Sequence, residues 1–381
     1  MIYFDNSATT PLCEGAKKAI AGAIEHFGNP SSLHIAGLEA AEILKKTREA
    51  LYRALSCRRE EYEIVFTSGG TEANNLALFG AAYAKKRKNP KIIVSDSEHP
   101  SILEPCKRLE AQGFKVVKIG TAGGKLNEEQ FFAEMDDSVV LVSLMSVNNE
   151  TGAVYDVKKL FAAAKKIAPN VLCHTDGVQA FLKIPFSPRS TGADLLTISS
   201  HKVHGPKGAG ALLVSKDVIK RKALLPQACG GGQENGLRSG TENVIGIAGF
   251  GGAVAEKYPR FEEDRAKMAA LREAIVAKLP EEIAVNTPEE HAPHILSLTL
   301  PQIKSETAVH FLSGKGICLS AGSACASNGK HKSYVLSAYG LTDKQVDSTV
   351  RVSLSADNTE EEAAALCAAL GEALSSLIRF K

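Results

Sequence analysis

The sequence contains no run of 18 apolar residues, and charged side chains interrupt most of its apolar stretches. A helix that spans a bilayer needs about 20 predominantly apolar residues, so we expect no membrane span. The N-terminal residues lack both the basic segment and the apolar core of a secretory signal peptide. These absences predict a cytoplasmic protein that does not work at a membrane.

No two cysteines form a C-x-x-C pair, although the chain contains eight cysteines. Their scatter argues against a zinc ribbon, a cluster-binding motif and a thioredoxin-like redox site. Two histidine pairs have H-x-x-H spacing, His201 with His204 and His291 with His294. Further ligands at suitable spacing are lacking, so we expect no metal site.

Neither sign of charge is in excess, because 45 Lys and Arg oppose 43 Asp and Glu and leave a net charge of +2. Proteins that wrap nucleic acid are usually more basic, so no direct nucleic-acid partner is expected. One basic cluster, residues 85–88, could dock an acidic protein or a transfer RNA. A solvated helix end is the simpler interpretation, because helix C-termini favour cations.

The composition, 44% hydrophobic and 23% charged, is that of an ordinary globular protein. Short β-rich runs alternate with helical stretches such as 38–55 and 74–84, which predicts a largely parallel sheet covered on both faces. The predicted strands are residues 63–66, 91–94, 114–117, 139–142, 171–173, 195–198 and 211–214.

The pattern changes after about residue 254, where a charged helix is followed by strands and a closing helix. The predicted elements are a helix at 260–279, strands at 295–300 and 349–354, and a helix at 359–377 that begins with a Thr359–Glu362 capping box. We therefore expect a large α/β domain at 16–254. A smaller α+β domain would combine residues 1–15 and 255–381.

Ligands of such sheets bind outside the carboxyl ends of the strands, so functional residues are expected in the loops that follow the strands. Residues 67–71 place glycines and Thr71 at a helix start, which suits a phosphate. A plain strand-to-helix turn with Thr71 as N-cap is the alternative. Two further loops contain His99 and Asn149, where a structural histidine and turn-forming residues are the alternatives.

Asp176 and Lys202 also follow predicted strands. A carboxylate such as Asp176 at a strand end can hold a ring nitrogen protonated, and the alternative is an N-cap. Lys202, with small residues before it and glycines after it, suits a Schiff-base lysine, and the alternative is an exposed loop lysine. The glycine-rich residues 230–243 predict close approach to a ligand or another chain, or else a flexible linker.

Cys325 stands in a run of small and polar residues, 319–332, which predicts a mobile, exposed loop. Lys330, His331 and Lys332 follow it closely, and cationic surroundings favour the reactive thiolate. The other seven cysteines mostly lie in apolar or helical settings, where a buried, inert cysteine is expected.

Taken together and in this order, the loops resemble those of the pyridoxal-phosphate cysteine desulfurases of the NifS/IscS type, within the class V aminotransferase-like fold. Residues 4–10, 28–32 and 351–354 extend the resemblance over nearly the whole chain. It implies a fold-type I transferase, with a mainly parallel seven-stranded sheet flanked by helices and a smaller α+β domain.

The resemblance also implies a role for each site residue. Lys202 would carry pyridoxal 5'-phosphate, Asp176 would pair with the ring nitrogen, Gln179 would bond the phenolic oxygen, and His99 would stack on the ring and act as acid–base. The residues that would hold the phosphate are Gly70, Thr71, Ser199, His201 and, from the partner subunit of a homodimer, Thr241. Asn149, near the cofactor, and Arg351 would bind the substrate carboxylate.

The implied reaction starts from L-cysteine. Lys202 removes the Cα proton, and the Cys325 thiolate takes the sulfur as a persulfide while L-alanine is released. A sulfur-acceptor protein, an iron–sulfur scaffold or an enzyme of tRNA or cofactor thiolation, would then receive the sulfur. A selenocysteine lyase, a small aminotransferase on the same fold and a mainly binding role are the alternatives.

The sequence departs from the family pattern at three positions. Gly177 replaces the usual Ala after the ring-pairing Asp, and we expect a slightly looser contact with the ring. Ser7 replaces an Ala and Asn235 an Arg. The chain stops soon after its last predicted helix, at Lys381, whereas iron–sulfur assembly members have a longer tail, so the acceptor stays open.

Overall fold

The computed structural model describes residues 1–84, 89–322 and 332–378. The strands are β1 (Ile2–Tyr3), β2 (Tyr62–Thr67), β3 (Lys91–Ser95), β4 (Lys115–Ile119), β5 (Val139–Ser143), β6 (Leu172–Asp176), β7 (Leu195–Ser199), β8 (Gly210–Ser215), β9 (Ala284–Val285), β10 (Ile295–Thr299), β11 (Ile317–Cys318), β12 (Ser320–Ala321) and β13 (Thr349–Ser353).

Helices separate most of these strands. They are α1 (Glu14–Ile24), α2 (Ile35–Ala54), α3 (Gly70–Ala84), α4 (Pro100–Glu110), α5 (Glu128–Glu134), α6 (Val157–Ile167), α7 (Pro188–Thr191), α8 (Lys216–Lys220), α9 (Val244–Lys257), α10 (Phe261–Lys278), α11 (Ser305–Gly314), α12 (Tyr334–Tyr339), α13 (Asp343–Asp347) and α14 (Glu360–Ser376). None of the described helices is long and apolar enough to cross a membrane.

All seven predicted β-rich runs join one sheet, in the order β2-β8-β7-β6-β5-β3-β4. The pairs from β7 through β6, β5 and β3 to β4 are parallel, and β8 runs antiparallel to both of its neighbours. Strands β3, β5, β6 and β7 are buried along their whole length. Burial on both faces explains their continuous apolar runs, and the prediction of a mainly parallel seven-stranded sheet is confirmed.

Alternating side chains of the strands enter two different cores. Ile92 and Val94 of β3 pack with α3 and α4, whereas Ile93 between them packs with α5 and α6. A second cluster on that opposite face joins β2, β7 and β8 to α2 and α9. Because successive side chains of a strand point to opposite faces, helices cover both sides of the sheet.

A second, four-stranded sheet has the order β12-β13-β10-β9, and its pairs are antiparallel. Its core includes Phe4 together with side chains of α10, α11 and α14. The capping box predicted for the closing helix is present, with Thr359 and Glu362 bonded reciprocally. The domain boundaries at 15/16 and 254/255 stay predictions, and they fall within α1 and α9.

Candidate active site

A cavity of about 290 Å³ lies at the carboxyl ends of the parallel strands. Ten predicted residues line it: Gly70, Thr71, His99, Asn149, Asp176, Gln179, Ser199, His201, Lys202 and Arg351. They come from five separate loops and from a strand of the second sheet, so the fold brings together residues that are far apart in the sequence. Thr241 is exposed and does not line this cavity. Cys325 lies outside the described residues.

Lys202 lies in a short 3-10 turn, Ser200–Lys202, directly after β7. Its Nζ donates hydrogen bonds to the carbonyl oxygens of Ser7, at 2.6 Å, and Ala8, at 2.7 Å. These two carbonyls belong to the N-terminal segment, which the sequence alone did not assign to the lysine. They fix the amine at the wall of the cavity.

Asp176 is the last residue of β6 and is buried. Its Oδ2 accepts from Asn74 Nδ2 at 2.7 Å, and its Oδ1 accepts from the backbone N–H of Val178 at 2.9 Å. The alternative of a helix N-cap is wrong, because the next helix, α7, is capped by Ser187. Asn74 escaped the sequence analysis, although an amide in the apolar run of α3 was a usable signal.

His99 does cap a helix, because its side chain accepts from the backbone N–H of Ser101 at the start of α4. Its Nδ1 also lies 2.7 Å from Ser101 Oγ. Burial lowers the pKa of His99; the Asp176 charge opposes this and the Lys202 charge adds to it. With Nδ1 accepting, the neutral ring carries its proton on Nε2. The structural and the chemical interpretations of His99 are therefore compatible.

The residues predicted to hold a phosphate converge at the N-terminus of α3. The helix starts at Gly70, so Thr71 lies in its first turn and is not its N-cap. A Cβ on Gly70 would lie 2.8 Å from Val178 Cγ2, so a larger residue here would displace the Val178 side chain. Ser199 Oγ is buried without a partner among the described residues. Free N–H groups and an unpartnered hydroxyl suit an anion.

His201 is the remaining residue of this predicted phosphate site. Its Nδ1 lies 3.2 Å from Thr9 Oγ1. Burial, helped by the charges of Lys202 and Lys207, lowers the pKa of His201 to about 4. A neutral imidazole can donate one hydrogen bond to a phosphate without adding charge.

Gln179 is held by two residues outside its own loop. Its Nε2 donates to the Ser7 carbonyl at 2.9 Å, and its Oε1 lies 3.3 Å from His294 Nε2. His294 is buried, and burial lowers its pKa well below the ordinary value. His294 had been considered only for its H-x-x-H spacing. Among the described residues no group of three or more potential metal ligands occurs.

Arg351 lies on β13 and is buried. Its guanidinium donates to the Asn149 carbonyl at 3.0 Å and to Asp5 Oδ1 at 2.8 Å. Its Nε is buried without a partner among the described residues. The guanidinium is thus held in place by two hydrogen bonds while its Nε can still donate, and such a group is suited to bind a carboxylate. Asp5 was part of a recognised motif, but its link to Arg351 was not visible in the sequence.

Two buried carboxyl groups lie beside the cavity, and neither is among the predicted site residues. Burial raises the pKa of Glu98 to about 8 and that of Glu150 to about 7. Each directly adjoins a predicted site residue, Glu98 before His99 and Glu150 after Asn149. Both carboxyl groups accept hydrogen bonds from neighbouring loops, so they connect the site to its surroundings.

With this geometry in place, the chain can be compared with known proteins. The aminotransferase class-V family matches residues 2–366. The cysteine desulfurase of Trichormus azollae is 36% identical over 368 residues, which cover 95% of this chain and 90% of that protein. The chain belongs to the cysteine desulfurases of the class-V aminotransferase family.

Solved structures agree with this membership. A NifS-like protein has a TM-score of 0.91 at 35% identity and covers 99% of this chain and 100% of its own. SspA, solved in complex with cysteine, has a TM-score of 0.82 at 31% identity and covers 94% and 100%. The predicted fold type I, with its smaller α+β part, is confirmed.

The structure corrects the expectation for Gly177. A Cβ there would lie 2.2 Å from Cζ of Phe186, and Gly177 does not line the cavity, whereas Val178 does. Phe186 therefore fills the space of the missing methyl group, and Val178 rather than Gly177 faces the cavity. Asn235 has a φ of 56°, a conformation that Asn tolerates better than Arg.

The structure describes the seven other cysteines and one of the three cations predicted to surround Cys325. The buried cysteines are Cys13, Cys106, Cys173 and Cys367; Cys57 and Cys318 are half-buried. The expectation of burial is wrong for Cys229, which is exposed. Lys332 pairs with Asp343 at 2.8 Å, so part of its charge is already neutralised. Lys330 and His331 lie outside the described residues, as do residues 85–88.

Proposed function

We propose that this chain removes sulfur from L-cysteine and leaves it as a persulfide on Cys325, with L-alanine as the second product. The supporting observation is the convergence on one cavity of four groups: Lys202, Asp176, His99 and Arg351. An amine, a carboxylate, an imidazole and a guanidinium are the groups that this chemistry needs. The structural neighbour solved with cysteine supports cysteine as the substrate.

The cavity fits pyridoxal 5'-phosphate. The α3 N-terminus with Thr71, the unpartnered Ser199 hydroxyl and His201 would hold the phosphate. Asp176 would keep the ring nitrogen protonated, Gln179 would face the phenolic oxygen, and Lys202 would attach the cofactor. When bound, the cofactor supplies an electron sink for charge that develops at the substrate Cα.

The protein's own groups then have separate tasks. Arg351, with Asn149 beside it, binds the substrate carboxylate and fixes the orientation of the Cα–H bond. Lys202 Nζ takes the Cα proton, and the two carbonyls that hold the amine limit its reach. His99, neutral because burial lowers its pKa, exchanges a proton near the substrate sulfur through Nε2.

The sulfur passes directly from the substrate to Cys325, and the bound cofactor would stabilise the charge that the substrate's carbon skeleton gains. The Cys325 thiolate attacks the substrate sulfur, the new S–S bond forms, and the Cβ–S bond breaks with its electron pair left on Cβ. Protonation of that carbon gives L-alanine. A thiol and cysteine thus become a persulfide and alanine, and no external oxidant is required.

The direct test is incubation with L-cysteine under reductant, with alanine and sulfide measured. Cys325→Ser should abolish sulfide release, and full release by this variant would contradict the assigned acceptor. Lys202→Ala should lose the yellow colour of the bound cofactor. Covalent cofactor retained by that variant would contradict the role of Lys202.

A homodimer belongs to the same proposal. Phe27, Leu33 and Ile35 are 90%, 93% and 76% exposed, which supports burial of this segment against a second copy. Thr241 is exposed and would reach the phosphate of the partner subunit. Sedimentation equilibrium should give twice the chain mass, and Phe27→Glu with Leu33→Glu should lower it to that of one chain.

The sulfur acceptor would be a protein of iron–sulfur cluster assembly or of tRNA or cofactor thiolation. The seven described cysteines are all unpaired, which supports a reducing compartment such as the cytoplasm. Trapping partners with the persulfide form and identifying them by mass spectrometry would distinguish the pathways.

A further inference from the structure

Helix α12 begins shortly after the segment that contains Cys325 and contacts two loops of the cavity with consecutive residues. Ser333 Oγ donates to Glu150 Oε2 at 2.5 Å. Tyr334 Oη donates to the carbonyl oxygen of Glu98 at 2.6 Å. Neither hydroxyl touches the cavity itself, so the mechanism above gives them no task.

The Ser333 contact leads to Arg351. Glu150 is buried and follows Asn149, whose carbonyl accepts from Arg351 Nη1 at 3.0 Å. The other flank of the Cys325 segment reaches the same carboxylate, because a Cβ on Gly322 would lie 3.7 Å from Glu150 Oε2. Glu150 is therefore close to both sides of the segment: Gly322 lies near its carboxyl group, and Ser333 is hydrogen-bonded to it.

The Tyr334 contact leads to His99. Its acceptor, the Glu98 carbonyl, belongs to the peptide unit that joins Glu98 to His99. The Glu98 carboxyl group is itself fixed by Ser95 Oγ at 2.7 Å and by the backbone N–H of Met145 at 2.8 Å. The hydroxyl of Tyr334 is thus bonded to a loop that the hydrogen bonds of Glu98 already fix.

We propose that Ser333 and Tyr334 are positioning residues that form a two-point bridge, Ser333 to Glu150 and Tyr334 to the Glu98 carbonyl. The bridge fixes the C-terminal flank of the Cys325 segment relative to Arg351 and His99. We expect a loosened flank to slow the transfer of sulfur to Cys325. The inference rests on the proposed function, because it assumes that Cys325 accepts the sulfur.

A simpler role must be separated from this one. Ser333 Oγ also accepts from the backbone N–H of Leu336 at 3.1 Å and so caps α12. Above about pH 8 Glu150 is ionised, so Asp at position 333 would keep the cap while neither carboxylate could donate to the other. Thr would keep both functions. The pair Ser333→Asp and Ser333→Thr therefore distinguishes capping from bridging.

The experiment compares Tyr334→Phe, Ser333→Ala, Ser333→Asp and Ser333→Thr in the cofactor-loaded protein. Two matched controls remove a hydroxyl from the same helix: Tyr339→Phe, and Ser337→Ala, whose hydroxyl bonds only the Ser333 carbonyl among the described contacts. We measure the single-turnover burst of alanine, the binding of cysteine by absorbance, and amide hydrogen exchange in residues 96–102 and 145–152.

Tyr334→Phe, Ser333→Ala and Ser333→Asp should slow the burst about tenfold or more, since misplacement remote from the chemistry can cost about 100-fold. Cysteine binding should change by less than about twofold, and Ser333→Thr should restore the burst. Hydrogen exchange should rise in both loops for the three slow variants and not for the controls.

Bursts equal to those of the controls, or a burst restored by Ser333→Asp, would overturn the bridge. An absent burst in the unmodified protein would instead overturn the proposed function. In that case hydrogen exchange still decides whether the bridge exists, because it needs no turnover. Unchanged exchange in all variants would then refute it.

Discussion

The guanidinium of Arg351 donates a hydrogen bond to the carboxylate of Asp5 at 2.8 Å, although the two residues are 346 positions apart in the chain. Asp5 Oδ1 also accepts from Ser320 Oγ at 2.8 Å. The N-terminal segment, β12 and β13 therefore meet at one partly buried carboxylate. This arrangement gives the charge of Arg351 a partner and fixes the group that would bind the substrate.

Asp5→Asn should lower the free energy of unfolding by about 1–2 kcal/mol, because a hydrogen bond to an ionised group is roughly twice as strong as a neutral one. The KM for cysteine should rise, since one of the two fixed contacts of Arg351 becomes weaker. Urea unfolding and steady-state kinetics measure the two effects. Asp343→Asn, in the exposed pair with Lys332, is the control, and equal losses in both variants would contradict a special role for Asp5.

Gly177→Ala should destabilise the protein, because the new Cβ would lie 2.2 Å and 2.5 Å from two ring carbons of Phe186. Overpacking of this kind costs about 1–3 kcal/mol. Gly177→Ala combined with Phe186→Leu should recover part of the loss in a double-mutant cycle. Gly22→Ala is the control, since nothing lies within 4 Å of its Cβ. Full additivity of the two changes would show that Phe186 is not the obstacle.

The sequence was sufficient to predict the strands, which depend on local apolar runs, and the resemblance to the desulfurases supplied most of the residues that line the cavity. The strands have continuous apolar runs; Asp176 ends one of them, and Lys202 lies in the turn that follows another. Contacts between distant segments could not be predicted from the sequence. The lysine's partners Ser7 and Ala8 bind through backbone carbonyls, which no side-chain pattern records.

Gly177 illustrates a different limit. The family pattern correctly marked the position as unusual, but the direction of its missing Cβ depends on how residues 176–186 turn. That turn brings Phe186 against Gly177 and leaves Val178 at the cavity. The ring of Phe186, nine positions later, thus occupies the space beside Gly177, and this contact is visible only in the folded chain.

His174 should make the fold sensitive to acid. It lies in β6, with Nδ1 2.8 Å from Ser143 Oγ and Nε2 3.0 Å from Thr197 Oγ1. Burial lowers its pKa from 6.5 to about 3. Between these values the unfolded chain binds a proton that the folded chain does not, so the free energy of unfolding falls as the pH decreases from 6.5 towards 3.

His174→Gln should therefore weaken the pH dependence of stability in that window. Urea unfolding at a series of pH values measures the slope. His310→Gln removes an exposed histidine and is the control. A variant that loses stability in acid as steeply as the unmodified protein would contradict the role of His174.

Glu98 should act in the opposite direction. Burial, with a smaller contribution from the Asp176 charge, raises its pKa from 4.5 to about 8, and hydrogen bonds from Ser95 and Met145 oppose the shift. Between these pH values the folded protein holds a proton that the unfolded chain has released. The free energy of unfolding therefore falls as the pH rises from 4.5 to 8, and the stabilisation from the neutral acid is complete only below 4.5.

Glu98→Gln keeps the shape and removes the titration, so the variant should gain stability relative to the unmodified protein as the pH rises through this window. The difference between the two unfolding curves isolates Glu98, because the other titrating groups are shared and cancel. Glu150, whose pKa is raised to about 7, leaves a residual slope in both proteins. Glu281→Gln, at an exposed position, should give a difference that does not vary with pH. A pH-independent difference for Glu98→Gln as well would mean that Glu98 is ionised in the folded protein, and that its buried Oε2 has a partner that neutralises it.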